Sequence, residues 1–171
     1  MLFRQVVSRF FSNFVSFIEI MAEINILTQG VDAPPFDLSL LASWVEAVAA
    51  ANGRSVGRLT YVFCDDDYIL QTNRQFLQHD YYTDIITFDY SNARRIAGDM
   101  VISLDTVKSN ARQGGVGEYD ELCRVVIHGV LHLCGINDKG PGEREVMERH
   151  ENAALAMRPG CLFTEQAVSC D

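Results

Sequence analysis

The sequence predicts an α+β domain in which a small mixed sheet of about four strands is packed with helices. Two observations carry this. Segments of alternating polarity and segments of helical period follow one another in the order β-α-β-α-β-β-α-α-α. The chain has 171 residues, 48% hydrophobic and 22% charged, the proportions of a single domain that buries one core.

"INILTQ" (24–29) alternates apolar and polar residues and reads as a strand. "VDAPPF" is a loop broken by Pro34 and Pro35. In "DLSLLASWVEAVAAANG", Asp37 suits an N-cap, Leu40, Leu41, Trp44, Val45 and Val48 share one helical face, and Gly53 ends the run. "RLTYVFC" (58–64) is β-rich, and "DDDYILQTNRQFL" reads as a helix whose opening acids complement the positive end of its dipole. "HDYYTDIITFDY" is a loop running into a strand, and "GDMVISL" (98–104) is another strand. "DTVKSNARQGG" is a short helix stopped by Gly114 and Gly115, "EYDELCRVVIHGVLHLCG" (118–135) a long one closed by Gly135, and "EREVMERHENAALAM" (143–157) the last. A single domain is expected over 21–160, with residues 161–171 as a C-terminal tail.

The first twenty residues differ from the rest. Arg9, Ser12 and Asn13 interrupt their apolar run and no A-x-A follows, which argues against a signal peptide, and the stretch is too polar for a membrane span of roughly 20 apolar residues. They are expected to be an upstream extension ahead of Met21, with an amphipathic targeting helix as the alternative. The five cysteines include no C-x-x-C pair and are read as reduced thiols of a cytoplasmic protein. A formal net charge of −9 argues against non-specific nucleic-acid binding through a basic surface.

The chemistry is concentrated in "HGVLHLCGIND" (128–138). Four residues of α-helix advance about 400°, so His128 and His132 lie on nearly one face and can point both imidazoles at one ion. Their neighbours Val125, Val126, Ile127, Val130, Leu131 and Leu133 make the helix mostly buried and central. Buried imidazoles need their ring nitrogens satisfied, and a divalent cation does this for both. Gly135 ends the helix, and the chain reverses over Ile136 and Asn137 to return Asp138 to the ion's open side. The result is His-x3-His-x5-Asp, a set suited to one Zn2+ with a fourth position left for water. The alternative is a pair of satisfied core histidines with Asp138 capping a turn. Cys134 falls on roughly the opposite face from His132 and is read as a buried thiol. In H-E-x-x-H peptidases the glutamate is the general base. Gly129 holds that position here and argues against a peptidase.

At these residues the chain resembles the YbeY-type endoribonucleases, single-zinc rRNA maturation factors whose signature is similar to H-G-x-L-H-L-x-G-Y-D-H. The matches are His128, Gly129, Leu131, His132, Leu133 and Gly135. "LQTNRQFLQHDYYTDIITFDY" is similar to the family's L-N-x-x-Y-R-x-K-D-x-P-T-D-V-L-S-F at Asn73, Asp80, Thr83, Asp84 and Phe88, with Phe76 standing for tyrosine. "GDMVIS" (98–103) resembles G-D-I-x-I-S. The resemblance implies a zincin-like fold and single-strand-specific, metal-dependent cleavage of RNA in rRNA maturation (16S 3′ end processing) and ribosome quality control. It implies rRNA and the small ribosomal subunit or its proteins as partners, and no membrane. It also exposes departures. The third family histidine aligns with Asp138, and the arginine thought to assist catalysis aligns with Leu77. Arg74, one helical turn earlier, is the candidate to replace that arginine, with a solvated surface residue as the alternative. His79 replaces a lysine and Thr87 a serine, and His79 and Asp80 are expected near the cleft.

RNA binding draws on lysine and arginine. Arg94, Arg95, Lys108, Arg112 and Arg124 are offset by Asp99, Asp105, Glu118, Asp120 and Glu121, so no net basic patch is visible. Two other functions remain alternatives: a non-catalytic ribosome assembly factor whose metal staples the fold, and a metal-dependent hydrolase of another substrate.

Overall fold

The structure, a computed structural model, describes residues 22–164. The expected extension (1–20), the end of the expected tail and Cys170 lie outside the described residues. The elements are β1 (Glu23–Gln29), α1 (Leu38–Ala51), β2 (Ser55–Cys64), α2 (Asp66–Thr72) continued by a π-helical turn (Asn73–Leu77), β3 (Ile85–Asp89), β4 (Arg95–Ser103), α3 (Leu104–Gly114), α4 (Glu118–Leu133) and α5 (Glu143–Ala156). Their order is the one expected from the sequence. The four-stranded sheet runs β1-β2-β4-β3, with β1, β2 and β4 parallel and β3 antiparallel to β4. This is a mixed α+β architecture.

Period-two alternation decides which face of the sheet is dry. Leu59, Tyr61 and Phe63 of β2 and Ile96, Met100 and Ile102 of β4 are fully buried against the helices. The principal core joins them to Leu41, Trp44, Val45 and Val48 of α1 and to Val126, Ile127, Val130 and Leu131 of α4. On the other face, α2 covers a smaller cluster of Cys64, Ile69, Ile86 and Val101. Asp37 caps α1 as expected, accepting from the backbone N–H groups of Ser39 and Leu40 at 2.9 and 3.0 Å. Trp44 donates its indole N–H to the Ala154 carbonyl at 2.8 Å and ties α1 to α5. Residues 161–164, assigned by sequence to a tail, pack on the domain: Leu162 is buried, and Phe163 stacks on Phe36 with centroids 4.8 Å apart.

The "DDDYILQTNRQFL" helix departs from the expected continuous α-helix in its last turn, which widens to a π-turn at Asn73–Leu77. Asn73 is the cause. It is buried, and its side-chain amide donates to the Tyr81 carbonyl at 2.8 Å, while its own carbonyl accepts from the His79 N–H. These long-range bonds compete with the regular helical ladder. Among the described residues no disulfide forms, and Cys64, Cys123, Cys134 and Cys161 are free. No helix among the described residues is long and apolar enough to cross a membrane.

α4 lies across the sheet at very short range where β3 and β4 pass beneath it. A Cβ at Gly129 would stand 2.7 Å from Met100 Sδ and 2.8 Å from Ile85 Cδ1, so both side chains would have to shift to admit one. The residue after the first histidine therefore points into the packed sheet. Introducing the peptidase glutamate with G129E overpacks this contact and is expected to lower stability by about 1–3 kcal/mol. Urea unfolding measures it, and an unchanged midpoint would mean the helix lifts freely and the packing argument is wrong.

Candidate metal centre and cleft

The site begins with the end of α4. Gly135 adopts φ +94°, its N–H donates to the His132 carbonyl at 2.9 Å, and the Ile136 N–H donates to the Leu131 carbonyl at 3.1 Å. This is the double hydrogen bond of a Schellman motif, and it folds the chain back over the last helical turn. The reversal has two chemical results. It sets the Ile136 carbonyl 2.9 Å from His132 Nδ1. It also returns Asp138 to the histidine pair, with carboxylate oxygens 3.6 Å from His128 Nε2 and 3.7 Å from His132 Nε2.

A carbonyl oxygen only accepts, so the His132 proton resides on Nδ1 and its Nε2 presents a lone pair. His128 Nδ1 donates to Glu151 Oε1 at 2.6 Å, and its Nε2 is likewise a lone pair. The two Nε2 atoms stand 2.9 Å apart, with the rings nearly perpendicular at 88°. Two lone pairs and a carboxylate thus converge, and only a cation or a shared proton reconciles them. Burial first, and then the neighbouring His128, pushes the His132 pKa below its ordinary value, which disfavours the shared proton. The ligand atoms of His128, His132 and Asp138 all lie within 4.8 Å of one another. A tetrahedral ion with bonds of about 2.0–2.1 Å separates its ligands by about 3.3 Å, close to the observed triangle. The donor set fits a divalent metal.

The triad is partly exposed, with side chains 16%, 27% and 28% accessible for His128, His132 and Asp138. Its open side faces a cleft of about 590 Å³ whose walls include Leu77, His79, Tyr81, Thr87, Asp89 and Lys139. The Thr87 hydroxyl is buried and pairs with no protein group among the described residues. A second cavity of about 650 Å³ adjoins on the α5 side, between Asp84, Arg124, Arg144 and Glu151.

Behind the first ring of ligands stands a charged network that the sequence did not disclose. Glu151 also pairs with Arg124 at 3.5 Å, and Arg124 reaches Glu121 at 2.5 Å and Asp84 at 3.5 Å. The hydrogen bond to Glu121 pushes the Arg124 pKa up despite partial burial, so its charge is fixed. The guanidinium pairs with the Glu151 carboxylate, which in turn orients His128. Two sequence signals pointed here. Arg124 lies one turn before His128 on the same face, and Glu151 shares the buried stripe of α5 with Met147 and Ala154.

Of the other residues singled out by sequence, His79 and Thr87 line the cleft, as does Leu77. Asp84 reaches from the start of β3 to both cavities. Arg74 is not in the cleft lining. Its side chain is 54% exposed and donates from Nε to Asp80 at 2.6 Å. Cys134 is half-buried, its thiol is pushed up to about 11 by burial, and it stands outside the triad.

A two-histidine helix with an acid returned by the following turn, opening on a cleft beside a mixed sheet, is an arrangement that could hold a metal ion in a hydrolase. The family model for endoribonuclease YbeY matches residues 32–158. The chain is 59% identical over 131 residues to an endoribonuclease YbeY of Bacteroides thetaiotaomicron, covering 77% of this chain and 96% of that protein. It is 49% identical over 148 residues to one from Porphyromonas gingivalis, covering 86% and 98%. It also resembles the solution structure of TM1509 from Thermotoga maritima, with a TM-score of 0.55 and 27% identity over 78% of this chain and 87% of that one. The chain belongs to the YbeY endoribonuclease family.

The role of Glu151 is directly testable. Glu151→Ala frees the His128 ring to rotate and leaves Arg124 without one partner. Metal affinity is expected to fall about 10- to 100-fold, read by competition with a chromophoric chelator. Wild-type affinity in a folded variant would remove Glu151 from the site.

Proposed function

We propose that this chain is a zinc-dependent endoribonuclease that cleaves single-stranded RNA, acting in rRNA maturation at the 16S 3′ end and in ribosome quality control, with the small ribosomal subunit or its proteins as docking partners. The observation that carries this is the convergence of two imidazole lone pairs and the Asp138 carboxylate at the wall of an open cleft, in a chain whose relatives bear the name endoribonuclease.

The residues divide the task. His128, His132 and Asp138 would hold the ion, and their partial exposure would leave it accessible from the cleft. Zinc bound there would supply Lewis-acid chemistry for phosphodiester hydrolysis. Asp138 contributes a charge where the family has a neutral histidine, which makes the site less electron-poor and raises the working pH. Glu151 and the Ile136 carbonyl hold the proton on each Nδ1 and keep both Nε2 atoms available. Lys139 offers a positive charge to a phosphate. Arg74 stands for the family arginine aligned with Leu77. Its bond to Asp80 argues that it acts by holding the loop of His79 and Tyr81 against the cleft.

The experiment is cleavage of a fluorescent single-stranded RNA with added zinc. Cleavage is expected to stop with a chelator and to be lost in a folded His132→Ala variant, which also excludes trace nuclease. Cleavage that persists in that variant would favour an assembly factor with a structural metal. Asp138→Ala should weaken zinc binding at least tenfold, and unchanged affinity would remove Asp138 as a ligand. Arg74→Ala should raise KM with kcat kept, since it loosens a loop and touches no reacting atom. Unaltered kinetics would remove Arg74 from the mechanism.

A further inference from the structure

The cleft opposite the metal triad is built with aromatic rings where cations would be expected. His79 and Tyr81 stack on one another, with centroids 5.2 Å apart and an interplanar angle of 23°, and the Tyr81 hydroxyl lies 3.1 Å from His79 Nδ1. Both are exposed, Tyr81 to 54%, and both line the same cleft as His128, His132 and Asp138. Exposed aromatic surface is costly in water and is found where a partner covers it.

The pair is held in place by four tethers. Gln78 adopts φ +56°, a left-handed conformation that a non-glycine residue takes only when its surroundings impose it. The buried Asn73 side chain donates to the Tyr81 carbonyl, and the Asn73 carbonyl accepts from the His79 N–H. Between the two rings, Asp80 is clamped by Arg74. The tether on Tyr81 grips its backbone, so it is kept when the exposed side chain is truncated.

Charge argues for the same occupant. Among the charged residues lining this cleft, Asp84, Asp89 and Asp138 oppose the single permanent cation, Lys139. Capture of a polyphosphate chain by charge is weak on such walls. Unpaired nucleobases, in contrast, stack on aromatic side chains whatever the local charge, and bases within a duplex are not available to do so.

We propose that the His79–Tyr81 pair is a stacking platform for one unpaired nucleobase of the RNA substrate, adjacent to the phosphate presented to the metal site, and that it makes the cleft selective for single strands. The proposal rests on the nuclease reading above, and its test separates the two. Full-length protein is mixed, with a chelator to stop cleavage, with short single-stranded RNA carrying 2-aminopurine at successive positions, a base whose fluorescence is quenched by stacking. Wild type and Tyr81→Phe are expected to quench it at one position. Tyr81→Ala should lose the quenching and bind about ten- to a hundredfold more weakly. An abasic site at that position should weaken wild type to the level of Tyr81→Ala and leave Tyr81→Ala unchanged. Tyr82→Ala, equally exposed but absent from the cleft lining, should bind as wild type.

Undiminished binding and quenching by Tyr81→Ala overturns the platform, as does an equal loss in Tyr82→Ala. If wild type cleaves RNA with zinc while Tyr81→Ala matches it in KM and kcat, the platform fails and the nuclease reading stands. If wild type binds and quenches but never cleaves with zinc, the nuclease reading fails and the platform stands.

Discussion

The site depends on two hydrogen bonds made by nitrogens that never face the cleft. His128 Nδ1 donates to Glu151 and His132 Nδ1 to the Ile136 carbonyl. An imidazole left to rotate presents either nitrogen, protonated or not, to whatever lies beside it. With both Nδ1 atoms committed, each ring has one orientation and one tautomer, and two lone pairs are forced to within 2.9 Å of one another. The surrounding structure serves these bonds. The Schellman turn supplies one acceptor, α5 supplies the other, and Arg124 pairs with that second acceptor from α4. The Trp44 bond to α5 extends the chain of support to α1.

The same packing explains the glycine after the first histidine. α4 rests so closely on Met100 and Ile85 that position 129 has no outward direction. A helix raised enough to admit a glutamate would withdraw both imidazoles from the β3 side of the cleft. Close packing of helix on sheet and a carboxylate at that position are alternative solutions, and this chain adopts the first. On the proposed metal-dependent reading, assistance would come from residues beyond α4, such as those of β3 and of the preceding loop that line the cleft.

Much of this was legible in the sequence because it is local. Periodicity marked every strand and helix in order, and Gly135 with the spacing to Asp138 announced the turn that completes the triad. Glu151 was hidden because its partner His128 lies 23 residues away, and the acids of α5 resemble those of any solvated helix. Only the placement of Glu151 on the stripe with Met147 and Ala154 distinguishes it. The docking of residues 161–164 escaped for a similar reason: Phe163 stacks on Phe36 and the Leu162 carbonyl accepts from the Asp37 N–H, contacts no window of sequence contains. The π-turn escaped because Asn73 responds to Tyr81, beyond the helix it ends. Arg74 had the charge and spacing to suggest the cleft, but Asp80 holds it at the surface.

The aspartate at position 138 and the aromatics at 79 and 81 belong to one physical problem. Three histidines around a dication leave its charge at the site, whereas a carboxylate ligand cancels half of it. The cleft walls add further acids, and the chain as a whole carries −9. Each of these reduces the part of RNA affinity that comes from neutralised phosphates, the part that falls with salt and does not distinguish single strands from double. Stacking supplies affinity of another kind, because it draws on the base and requires that base to be unpaired. On the proposed reading, with a metal held by Asp138 and a base on the His79–Tyr81 pair, affinity lost at the phosphates would be offset by stacking that a paired base cannot offer.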